Sequence, residues 1–128
     1  MDGGFVSAGR KLVSVVDDDE SVRESLPDLL REFGFDAEAF PSAEDFLASD
    51  ALNRTKCLIL DIAMPGMSGP DLQRELTRRR RNLPIVFITA NGDEHVRNRL
   101  LSKGASDVLF KPFGDAALLD ALNAALRP

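Results

Sequence analysis

The sequence predicts an α/β fold, a five-stranded parallel sheet with helices on both faces. Two observations carry this. Short apolar runs alternate five times with stretches whose apolar residues recur every three or four positions. Two of those runs, Cys57 to Asp61 and Pro84 to Thr89, show no polar alternation. Successive strand-then-helix units imply parallel strands, and a strand covered on both faces reads as an unbroken apolar run.

The elements follow in order. Leu12-Val13-Ser14-Val15-Val16 forms the first strand, stopped by Asp17-Asp18-Asp19. Val22, Leu26, Leu29, Leu30 and Phe33 make the apolar stripe of a helix that Gly34 closes. Pro27 lies inside that stripe, removes one backbone hydrogen bond and is expected to bend the helix. Ala37 to Phe40 is a short strand. Ser42 to Ser49 is a helix capped by Ser42, with Asp45 three residues on. After the strand Cys57 to Asp61, a helix runs from Ser68 to about Arg80, with Pro70 tolerated in its first turn. Pro84 to Thr89 is the fourth strand, and Asp93 to Lys103 a helix that Gly104 ends. Val108-Leu109-Phe110 is the fifth strand. Asp115 to Leu126 closes the fold, with Leu118, Leu119, Leu122 and Leu126 along one side.

Composition agrees with one compact domain. The chain has 128 residues, 44% hydrophobic and 29% charged. At this length roughly two-thirds of the unfolded surface is buried on folding, so no metal or disulfide staple is required. Residues 1 to 10, Gly-rich and without periodicity, read as a flexible arm preceding a domain over 11 to 128. Cys57 is the single cysteine, which excludes an internal disulfide and fits a reducing compartment. No apolar stretch reaches the ~20 residues that span a bilayer. The first nine residues lack the charged and apolar segments of a secretion signal, so a cytoplasmic location without membrane contact is expected. A net charge of −5 argues against nucleic-acid binding. The run Arg78-Arg79-Arg80-Arg81 reads as cations at a helix C-terminus, and it has no interleaved aromatics.

In parallel sheets of this kind, ligands bind beyond the carboxyl ends of the strands. Those ends carry Asp17-Asp18-Asp19-Glu20, Asp61, Thr89-Ala90-Asn91 and Lys111-Pro112-Phe113. Singly, each has a plainer role: an aspartate as a cap, Thr89 as a β-branched strand residue, Lys111 as a solvated charge. Together they place carboxylates, a hydroxyl and an ammonium on one edge. Carboxylates about 4 Å apart repel by about 4 kcal/mol at an effective dielectric of 20, and so call for a cation. Hard oxygen ligands favour Mg²⁺ or Mn²⁺. A carboxylate nucleophile, a divalent cation, a lysine and a hydroxyl are what phosphoryl transfer requires. His95, the only histidine, makes no metal site.

Four segments then carry a family resemblance: Val15-Val16-Asp17-Asp18-Asp19, Leu60 to Gly69, Ile88-Thr89-Ala90 and Phe110-Lys111-Pro112-Phe113. In order and spacing they resemble the receiver domain of two-component response regulators, the CheY-like superfamily. Residues 64 to 69 and 89 to 93 look most like the nitrogen-fixation regulator type. The resemblance implies a doubly wound, flavodoxin-like sheet of strand order 2-1-3-4-5 and a signalling domain that is not an enzyme beyond its own phosphorylation and dephosphorylation. It implies that Asp61 accepts a phosphoryl group from a histidine kinase or histidine phosphotransfer protein. Asp18, Asp61 and the Ala63 carbonyl would ligate Mg²⁺, with Asp17 acting through water. Lys111 would pair with Asp61 and then with the phosphoryl group, helped by a cis Lys111–Pro112 peptide. Thr89 and the Ala90 amide would bind the other phosphoryl oxygens. An output partner would dock on residues 93 to 126, and a homodimer is one arrangement open to the domain.

One departure matters. Three residues before Lys111, where the family's switch residue is usually Phe or Tyr, stands Val108. The chain would be either a single-domain regulator or the receiver of a longer one. Three other readings compete. A flavin mononucleotide binder would need a Ser/Thr/Gly-rich loop after the first strand, where Asp17-Asp18-Asp19-Glu20 instead repels phosphate. A haloacid-dehalogenase-like hydrolase needs an acid two residues after the nucleophile, and Ala63 stands there. A degenerate receiver would serve as a phosphorylation-independent binding module or a phosphate sink.

Overall fold

The computed structural model describes residues 9–127, so the arm expected over residues 1 to 10 lies almost wholly outside the described residues. The strands are β1 (Leu12–Val16), β2 (Asp36–Phe40), β3 (Thr55–Asp61), β4 (Ile85–Thr89) and β5 (Asp107–Phe110). The helices are α1 (Glu20–Glu32), α2 (Ala43–Ala48), α3 (Ala51–Arg54), α4 (Gly69–Arg78), α5 (Glu94–Ser102) and α6 (Asp115–Ala125). All strand pairs are parallel, in the order β2-β1-β3-β4-β5. The expected topology is therefore the observed one.

Alternate residues of each strand face opposite layers. Leu12, Val16, Leu58, Leu60, Phe87 and Val108 meet Phe46, Leu72, Leu76 and Leu100 from α2, α4 and α5. Val13, Val15, Cys57, Ile59, Val86 and Ile88 meet Leu26, Leu30, Leu118 and Leu122 from α1 and α6. Burial pushes the Cys57 thiol up to about 12, so it is a core residue and no nucleophile.

Helix ends are set locally. Ser42 caps α2 by accepting the Asp45 amide, as its spacing predicts. Ser68 and Asp71 cap α4 reciprocally. Gly34 and Gly104 adopt φ of +99° and +103° after α1 and α5, where the amides of Phe35 and Ala105 return to Leu30 and Leu100. Arg80 takes the same role after α4 at φ +60°. Arg78 and Arg79 both bond Glu75 there, holding its carboxyl down to about 2. The arginine run thus closes a helix.

Helix α1 carries Pro27 inside it, buried, as the apolar stripe predicts. One difference from expectation stands out. A one-turn helix, α3, precedes β3, which starts at Thr55; the Thr55 hydroxyl bonds the Ala51 carbonyl at 2.6 Å and Ser14 Oγ at 2.7 Å. Four residues are too few to show helical periodicity.

Candidate functional site

Because the strands are parallel, their carboxyl ends share one edge. Asp17 follows β1, Asp61 ends β3, Thr89 ends β4 and Lys111 follows β5. One oxygen from each of Asp17, Asp18 and Asp61 lies within 4.8 Å of the others. Asp17 is fully buried and Asp61 nearly so, at 8% exposure, whereas Asp18 is exposed. The first two are thus taken from water by the sheet, and Asp18 sits at the mouth.

The Asp17 carboxylate accepts the Asp19 amide at 2.9 Å on one oxygen and the Lys111 ammonium at 3.0 Å on the other. The expected Lys111–Asp61 pairing is therefore corrected: the ammonium goes to Asp17. The physical reason is burial, since a carboxylate with no solvent exposure has most to gain from a cation. Burial also raises the Asp61 carboxyl, together with the charge of Asp17, to about 7; Lys111 opposes this. Burial works against the Lys111 ammonium, but its bond to Asp17 and the charges of Asp17, Asp61 and Asp19 outweigh that and raise its pKa. Asp19 faces elsewhere. It caps α1, and bonds from the Ser21 hydroxyl and amide lower its pKa.

Thr89 is 5% exposed, and its Oγ1 accepts the Asn91 amide at 3.1 Å. Ala90 and Ala63 lie exposed on the loops after β4 and β3. The Lys111–Pro112 peptide is cis, as the resemblance implied. Val108 is buried at 1% exposure beside Phe87, two residues short of the carboxyl end of β5.

Two positioning residues escaped the sequence reading. A Cβ on Gly69 would stand 2.3 Å from the Asp61 carbonyl oxygen and 3.0 Å from the Phe87 ring, so α4 abuts the Asp61 backbone only because residue 69 has no side chain. Glu44 on α2 accepts the Met67 amide at 3.0 Å and pins the loop after Asp61. Gly69 closes the segment Leu60 to Gly69 that carries part of the resemblance; nothing local distinguishes Glu44.

Residues 13–123 match the family model of the response regulator receiver domain. This chain belongs to that family. Nodulation protein W of Bradyrhizobium diazoefficiens is 47% identical over 124 residues, 96% of this chain and 55% of that protein. Among solved structures, the response regulator StyR is 48% identical with a TM-score of 0.83, over 92% of this chain and 60% of StyR. FixJ-N is 38% identical with a TM-score of 0.82, over 91% of this chain and 93% of its own. The receiver domain spans about half the length of the curated relatives it matches. No described helix is long and apolar enough to cross a membrane.

Proposed function

We propose that residues 11 to 128 form a phospho-accepting switch in which Asp61 takes a phosphoryl group from the phosphohistidine of a kinase or phosphotransfer protein. The observation that carries this reading is the meeting of three carboxylates within 4.8 Å beside the Lys111 ammonium, on the sheet edge of a receiver domain. An Asp61 oxygen attacks phosphorus, the P–N bond breaks, and its electron pair leaves with the imidazole. Lys111 transfers its ammonium from Asp17 to a phosphoryl oxygen. The Thr89 hydroxyl and the Ala90 amide donate to the other two. The crowded oxygen set, with an Asp61 carboxyl raised by burial and by Asp17, suits a hard divalent ion. Asp17, Asp18, Asp61 and the Ala63 carbonyl would hold Mg²⁺ or Mn²⁺, which when bound supplies charge neutralisation at the phosphoryl oxygens. The same reading places the domain in the cytoplasm and its output partner on residues 93 to 126.

Acetyl phosphate with Mg²⁺ tests it. The domain should gain one acid-stable, base-labile phosphate, and Asp61→Asn should gain none. Asp18→Ala should lose both the activity and its metal dependence. Undiminished labelling of the Asp61→Asn variant at another residue would reject the assignment.

A further inference from the structure

Strand β5 does place an aromatic ring beside Thr89, but at position 110. Phe110 is the register partner of Thr89, whereas Val108 is that of Phe87. Residues two apart on a strand share a face. Val108 and Phe110 both join the cluster that includes Val96. Val108 is enclosed; Phe110 is half-buried and lies against the loop that follows Thr89.

The contact is close. A Cβ on Gly92 would stand 2.7 Å from both Cγ and Cδ2 of the Phe110 ring. Gly92 is not in the left-handed region. The glycine is needed there for the approach of the ring, not for backbone freedom. The rest of the loop is tied as closely. The Asn91 amide donates to Thr89 Oγ1 at 3.1 Å, and Asp93 caps α5 by accepting the His95 amide at 2.7 Å. One turn on, Arg97 donates to the Val108 carbonyl at 2.6 Å and lies 3.4 Å from Asp107.

We propose that Phe110 is the positioning residue that couples Thr89 to the loop of residues 91 to 93 and the start of α5. The inference rests on the phospho-accepting reading. Thr89 reorganises its bond to the Asn91 amide when its hydroxyl turns to a phosphoryl oxygen. Gly92 lies in van der Waals contact with the ring, so any displacement of the loop drives the ring or breaks its contact. Packed contacts of this kind shift between discrete arrangements rather than deform smoothly. Val108 stays in the core throughout.

Amide exchange over residues 91 to 96, with and without beryllofluoride and Mg²⁺, tests the coupling. Asp61 phosphorylation by acetyl phosphate is measured alongside. Wild type should show a beryllofluoride-dependent change in this segment. Phe110→Ala should still take up phosphate, slowed by no more than about threefold, under about 1 kcal/mol of barrier, yet lose most of that change. Phe110→Leu, which keeps apolar bulk without a flat ring, should lose part of it. Gly92→Ala, which drives the ring away, should shift free-state exchange towards the beryllofluoride-bound pattern. A wild-type response in Phe110→Ala, or in Phe110→Leu if the alanine variant does not fold, overturns the proposal, as does a free Gly92→Ala variant indistinguishable from wild type. If wild type itself takes no phosphate, the phospho-accepting reading fails, and this inference with it.

Discussion

Lys111 and Thr89 stand within one strand end of each other yet differ in what they hold. The lysine sits 3.0 Å from a fully buried carboxylate, while the threonine oxygen accepts a single loop amide. Chemistry and response should therefore separate. Lys111→Ala removes the cation that the proposed reaction turns to the phosphoryl group and strands a buried Asp17, so phosphorylation should slow by about a hundredfold, in the range of a lost charge-stabilising group. Thr89→Ala should be phosphorylated at nearly the wild-type rate but show no loop change with beryllofluoride. Rapid-quench phosphate uptake combined with amide exchange measures both. Equal chemical defects in the two variants would contradict the division.

Elements carry the site through their ends. Helix α4 begins at Gly69 against the Asp61 carbonyl and is capped by Ser68 and Asp71. These neighbours should behave differently. Ser68→Ala loses a cap and should cost about 1 kcal/mol of stability with little effect on phosphate uptake. Gly69→Ala puts a methyl where the backbone of Asp61 lies, so the loop after β3 must shift. A displacement near 1 Å at a reacting group costs about a hundredfold in rate. Phosphate uptake, measured on both variants beside thermal unfolding, should therefore fall far more in Gly69→Ala than in Ser68→Ala. A Gly69→Ala variant with wild-type uptake would remove this glycine from the positioning machinery.

The whole molecule concentrates buried negative charge at one sheet edge, and its stability should report it. Raised to about 7 by burial and Asp17, the Asp61 carboxyl binds its proton more tightly folded than unfolded. In metal-free buffer, stability should therefore fall as pH rises from about 4 towards 7, the window between the unfolded and folded values, and stay low above it. Asp61→Asn should be more stable than wild type at pH 8 and should lack that slope. Mg²⁺ at a hundredfold excess over its dissociation constant should add about 2.7 kcal/mol to wild type, and markedly less to Asp18→Ala. Calorimetric scans with EDTA and with Mg²⁺ check both; a flat wild-type profile below pH 7 would show that the carboxylates do not repel as their crowding requires.

Strand identity, helix stripes and most caps were legible because each depends on neighbours in the chain. Leu12 to Val16 is a strand by its own pattern; Ser42 starts a helix through its own hydroxyl, and Gly34 and Gly104 end helices through backbone bonds a few residues long. Even the edge that gathers Asp17, Asp61, Thr89 and Lys111 was legible, since parallel strands must end together. Partnership was not. That Lys111 bonds Asp17 rather than Asp61, that Glu44 holds the loop at Met67, and that Phe110 lies on Gly92 follow from distances across layers. Val108 shows the limit most clearly. Its place in the family pattern marked the position, but only register shows that it lies beside Phe87 in the core and that Phe110 lies next to Thr89. Local sequence dictates what a residue's backbone does; only the packed sheet decides which side chains it meets, because burial and contact depend on segments far apart in the chain.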